Sequence, residues 1–153
     1  LGPALSKLAA PLFALSGLAC GLVWPWTHEL LELFRPGFGA ASASLKWLLC
    51  ATVAIYAGSM LLTALTALGK NVAMLWIAVL AVALNIGANF WAVPKFGIEG
   101  AGMTTFATEA FVALAAAFTL LRAGLALGPA WRWLGGPLLF ALGAWLSAQL
   151  PFG

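Results

Sequence analysis

NVAMLWIAVLAVALNIGANFWAVPKFGIEGAGMTTFATEAFVALAAAFTLL, residues 71–121, decides the fold. It holds two apolar runs, 71–93 and 100–121, and the second carries a single charge, Glu109. Each run is about as long as the 20 or so residues a helix needs to cross a hydrocarbon core roughly 30 Å thick. The six residues between them, Pro94 to Glu99, hold the local charge and the breakers Pro94 and Gly97. So short a connection between two long helices makes them antiparallel neighbours.

The rest of the chain repeats this pattern. Further apolar runs occupy 8–26, 47–69 and 133–150, the last opening on Gly135-Gly136-Pro137. Over the 153 residues, 64% are hydrophobic and 7% charged, and mean hydropathy is +1.06. That composition belongs to a chain whose solvent is lipid. The expectation is an all-α, polytopic transmembrane helix bundle of about five spans, with residues 1–153 forming a single transmembrane region. Pro11 falls in the first turn of its run, where a missing N–H is tolerated, and Gly17 and Gly21 form a GxxxG that invites close approach by another helix. Between the first two spans, Leu30, Leu31, Leu33 and Phe34 recur at helical spacing among His28, Glu29 and Glu32. Residues 28–35 therefore read as a short interfacial helix ended by Pro36-Gly37. Pro94 is expected to stop the third span.

Basic residues set the orientation. Lys7, Lys70, Arg122 and Arg132 gather on one side, and Arg35, Lys46 and Lys95 on the other beside Glu29, Glu32 and Glu99, so the first side is cytoplasmic. Trp24, Trp26, Trp47, Trp91, Trp131 and Trp133 fall near span ends, at headgroup level. A net charge of +3, scattered along the chain, is not the footprint of a nucleic-acid binder. Cys20 and Cys50 lie inside apolar runs and read as small buried residues rather than a disulfide or metal site. His28-Glu29-Leu30-Leu31-Glu32 resembles a zinc-hydrolase helix, but its second His is missing and the chain has no other. There is no nucleophile–base pair and no phosphate-cradling loop, so neither an enzyme nor a cofactor is expected. The chain starts Leu1-Gly2-Pro3 and ends directly after an apolar run, which reads as a piece of a longer protein.

Among the polar residues inside the predicted spans, Glu109, Asn85 and Asn89 stand out. Glu109 lies about eleven residues past Ile98, near mid-bilayer at about 1.5 Å per residue. A carboxylate at that depth turns toward protein or a wet cavity. Gly102, Thr105, Val112, Ala113 and Ala116 share its stripe, which predicts packing on another helix. Asn85 and Asn89 lie four apart, at comparable depth in the preceding span, and Asn85 is expected to hydrogen-bond Glu109. The alternative role for this carboxylate is proton or sodium coupling.

From Leu84 to Thr105 the sequence resembles the polysaccharide flippase family, within the multidrug/oligosaccharidyl-lipid/polysaccharide exporter superfamily. The resemblance rests on the Asn85/Asn89 pair, Val93-Pro94 where the family usually has Ile-Pro, Lys95, and Gly97-Ile98-Glu99-Gly100-Ala101. Leu33 to Phe38 is similar to the family's exposed loop after the ninth span, and Leu65 to Lys70 to a cytoplasmic turn. The likeness spans roughly residues 5 to 123 and the back end of the second lobe. It implies a transporter that moves polyprenyl-diphosphate-linked oligosaccharide units across the bacterial cytoplasmic (inner) membrane, for cell-surface polysaccharide such as O-antigen. It also implies as partners membrane lipid, the lipid-linked glycan and an N-terminal lobe of the same protein. Arg35 and Lys46 could then meet lipid headgroups or the arriving diphosphate. The rival readings are a peptidoglycan lipid-precursor flippase, an ion-coupled multidrug exporter, or a non-transporting membrane scaffold.

Overall fold

The computed structural model describes residues 2–127 and 133–150. Every regular element among them is helical: α1 (Gly2–Val23), α2 (Thr27–Phe34), α3 (Ser42–Ala67), α4 (Asn71–Phe96), α5 (Ile98–Arg122) and α6 (Gly135–Ala148), with 3-10 turns at Trp24–Trp26 and Phe38–Ala41. Four helical stretches, Ala10–Phe34, Phe38–Ala67, Asn71–Phe96 and Ile98–Arg122, are long and apolar enough to cross a membrane.

Several boundaries differ from the sequence reading. The first helix begins near the start of the chain, so Pro11 sits in its interior rather than its first turn, and Lys7's carbonyl lacks the amide it would accept from. The chain stays helical through Trp24–Trp26, because Pro25 stands in the first positions of that turn, where its ring is accommodated. Residues 10–34 thus form one nearly continuous helical stretch, with α2 as its end. Pro94 does not stop α4, which runs on to Phe96. A proline so near a C-terminus costs one interior bond, that of the Phe90 carbonyl. The actual stop is Gly97, at φ +58° and ψ −138°, a region reserved for glycine. The fifth predicted span shrinks to α6, of 14 residues, about 21 Å at 1.5 Å per residue. Trp131 and Arg132 lie outside the described residues.

Two interfaces organise the bundle. α1 and α6 pack on glycines: a Cβ at Gly17 would strike the Gly136 carbonyl, one at Gly21 the Phe140 carbonyl, and one at Gly143 would lie 2.8 Å from Leu18 O. The close approach predicted from Gly17 and Gly21 is present, with α6 as the partner. α3, α4 and α5 make the other unit, around Leu61, Leu65, Ile77, Ala116 and Leu120. α3 and α5 end alike, with Gly69 (φ +67°) and Gly124 (φ +77°) following the helix. The i→i−5 bonds Lys70 N to Leu65 O (2.9 Å) and Leu125 N to Leu120 O (3.0 Å) close both ends in Schellman fashion. α4 is the outermost helix. Its Val72, Leu75, Trp76, Leu80 and Phe90 side chains are exposed, the last at 80%.

Candidate functional site: a polar ladder and cavity between α4 and α5

The tight reversal at Gly97 brings α5 back along α4. Gly100 seats against the Ala92 backbone, where a Cβ would lie 2.5 Å from the carbonyl oxygen. This contact sets the register in which Asn85 and Asn89 face α5. Asn85 Nδ2 donates to Thr108 Oγ1 at 3.2 Å. Asn89 Nδ2 donates back to Asn85 O at 2.8 Å and reaches Asn85 Oδ1 at 3.1 Å. Thr104 Oγ1 lies 2.9 Å from both Asn89 Oδ1 and Ala101 O, and its single proton serves one at a time. Thr108 Oγ1 donates to Thr104 O at 2.8 Å. Thr104 and Thr108 are buried. The result is a ladder of two Asn–Thr rungs across the pair.

The predicted bond from Asn85 to Glu109 is not formed; the partner is the neighbouring residue, Thr108. The Asn85–Thr108 bond joins the two helices one residue from Glu109, but successive residues are about 100° apart around a helix. Glu109 is therefore swung off the α4–α5 seam. Its small-residue stripe does pack on another helix, α3: a Cβ at Gly102 would lie 3.0 Å from Ser44 O, and one at Gly58 would lie 3.6 Å from Ala113 N. Thr104 and Thr108 escaped the sequence reading. Their i, i+4 spacing, equal to that of Asn85 and Asn89, was the available signal.

Glu109 lies on a cavity of about 490 Å³ between α3, α4 and α5. Met74, Ile77, Ala78 and Ala81 supply apolar wall, and Asn85, Thr108 and Glu109 the polar end. Among the described residues no side chain or amide bonds or ion-pairs with the Glu109 carboxylate. Arg122, the basic residue of the same helix, is thirteen residues on, about 20 Å along the axis, with its guanidinium 4.6 Å from the centre of the Phe118 ring.

The two cations expected to meet headgroups or diphosphate sit over separate rings. Lys46 Nζ is 5.6 Å from the Trp24 ring centre, and Arg35 Cζ is 5.7 Å from that of Phe38. Lys95 lies 4.2 Å over Trp91. The same end holds the bonds Trp47 Nε1 to Glu99 Oε1 (3.4 Å) and Ser44 Oγ to Ile98 O (3.0 Å). His28 and Glu32 clamp the following turn: Glu32 accepts from Gly37 N at 3.0 Å and Gly39 N at 2.9 Å, while the His28 ring covers Gly39. Leu33 and Phe34 on the same helix are each 83% exposed. Cys20 and Cys50 are free thiols. No group of three or more His, Cys, Asp or Glu able to hold a metal occurs among the described residues.

No protein-family model, curated protein or solved structure matches this chain.

Proposed function

We propose that this chain is a membrane-embedded part of the second lobe of a bacterial lipid-linked oligosaccharide flippase. It would carry polyprenyl-diphosphate-linked repeat units from the cytoplasmic to the outer leaflet of the inner membrane. The observation that carries the reading is the α4–Gly97–α5 hairpin. The residues behind the family resemblance, Asn85, Asn89, Gly97 and Gly100, each do a physical job in that one unit. Two glycines set the reversal and register, and two asparagines lock the register with hydrogen bonds. Such a hairpin suits alternating access, in which helix groups rock as rigid bodies. The four long apolar helices suit a multi-pass membrane protein. Lys46, Lys95 and Arg35 occupy the end that this reading assigns to the outer leaflet, where headgroups or a diphosphate would be met. Glu109, without a countercharge on the described helices, is the residue available for ion coupling.

The test is genetic. Deletion of the gene should make lipid-linked repeat units build up on the cytoplasmic leaflet, with relief by the intact gene. Relief that fails with Glu109→Gln, at equal protein level, assigns Glu109 to coupling; relief by that variant assigns it to packing. Normal lipid-linked glycan in the deletion strain refutes the proposal.

A further inference from the structure

Beyond glycan transport, we infer that the cavity between α3, α4 and α5 is a binding site for a lipophilic amine, a compact apolar body carrying one protonated nitrogen. The volume, about 490 Å³, is within the range of small-ligand sites, about 300–1,000 Å³. The wall is apolar along Leu62, Met74, Ile77 and Ala81, while the polar groups stand together at one end, as Asn85, Thr108 and Glu109. A pocket of that form holds an apolar body and reads one polar group.

Charge and hydrogen-bond capacity decide which group. The Thr108 hydroxyl proton is committed to Thr104 O, and the Asn89 amide to Asn85. One N–H of Asn85 is committed to Thr108. The capacity left at the polar end is mostly acceptor: both Glu109 oxygens, with spare lone pairs on Asn85 Oδ1 and Thr108 Oγ1. Among the described residues the carboxylate has no counterion or donor. An ammonium brings the missing charge and the missing donors together, which an alcohol or a carboxylic acid does not. With hydrocarbon rather than water around the cavity mouth, such a pair is stronger than at a water-exposed surface. Entry is from the side: Ala78, Val82 and Ile86 line the cavity and are exposed on the outer face of α4. A ligand dissolved in the bilayer reaches the site without passing the bundle ends.

The experiment uses the full chain in lipid nanodiscs, with empty nanodiscs to subtract partitioning. The probes are 1-adamantylammonium and 1-adamantanol, which share one apolar cage and differ in charge. Saturable amine binding is expected, with the alcohol weaker by at least about tenfold, a difference of about 1.4 kcal/mol. Glu109→Gln should weaken the amine by a similar factor and leave the alcohol unchanged. Ala78→Phe, at an exposed wall position, should remove amine binding by filling the cavity. Equal affinity for the two probes, no saturable amine binding, or amine binding unmoved by Ala78→Phe each overturns the inference. Should the Gln variant fail to fold, the probe comparison and Ala78→Phe decide alone. A flippase with an empty cavity, or an amine site in a chain that moves no glycan, are separable results.

Discussion

Replacing Gly17 tests the helix pair that holds α6 to the bundle. A Cβ at this position would strike the Gly136 carbonyl and lie 2.7 Å from its carbon. Non-bonded carbons settle at about 3.5–4.0 Å, so α1 and α6 must part by about 1 Å to admit one methyl group. Overpacking of this kind costs about 1–3 kcal/mol. Gly17→Ala should therefore lower stability by that amount in SDS-titrated unfolding from mixed micelles. Gly21→Ala, facing Phe140, should behave alike. The double variant should cost less than the sum, because one separation relieves both contacts. Gly87→Ala is the control: a Cβ there meets nothing within 4 Å, so the helix should gain up to about 1 kcal/mol. A second assay locates the effect. A Cβ at Gly135 lies 3.3 Å from Ala14 Cβ, close to the 3.5–4.5 Å of a disulfide. With Cys20 and Cys50 replaced by Ala, Ala14→Cys/Gly135→Cys should cross-link under mild oxidation, and adding Gly17→Leu should abolish the link. A link that survives Gly17→Leu, or Gly17→Ala as harmless as Gly87→Ala, refutes the glycine-packed α1–α6 interface.

Further outcomes follow from the same geometry. Thr104→Val removes one rung of the ladder and should cost only about 0.6 kcal/mol, the average for hydrogen bonds between membrane helices, in the same unfolding assay; a loss above about 2 kcal/mol would show a cooperative network instead. Gly97→Ala places a side chain at φ +58° and should cost about 1–3 kcal/mol, whereas Lys95→Ala beside it should stay within about 1 kcal/mol. In intact cells an impermeant maleimide should label Lys95→Cys directly and Lys70→Cys only after permeabilisation, because these turns close opposite ends of α4; labelling of both from outside would contradict the spanning topology.

The helices were legible because apolar length and breakers are one-dimensional signals. Residues 71–93 and 100–121 were found within a few positions, and Gly17 and Gly21 announced a close contact. The partner of that contact was not legible, since Gly135-Gly136-Pro137 reads as a poor helix start until Gly136 is seen against Gly17. Pro94 misled for a related reason: its cost falls on one carbonyl in the last turn, while Gly97 carries the reversal. At the site, rise along the axis put Asn85 and Glu109 at one depth. Rotation about the axis, set by the Gly100–Ala92 contact between helices, selected Thr108 instead. Azimuth is a property of the packed pair, and a single span does not encode it. The cavity beside Glu109 needs three helices to exist, so no local pattern announces it.

The most direct measurement is leaflet exchange by the purified full-length protein in proteoliposomes. The substrate is a short-chain polyprenyl-diphosphate glycan with a fluorescent sugar end, quenched from outside by an impermeant reductant. The account predicts that the protected inner fraction falls toward zero with the protein present and stays near one half in empty vesicles. A protected fraction unchanged by correctly folded protein would contradict it.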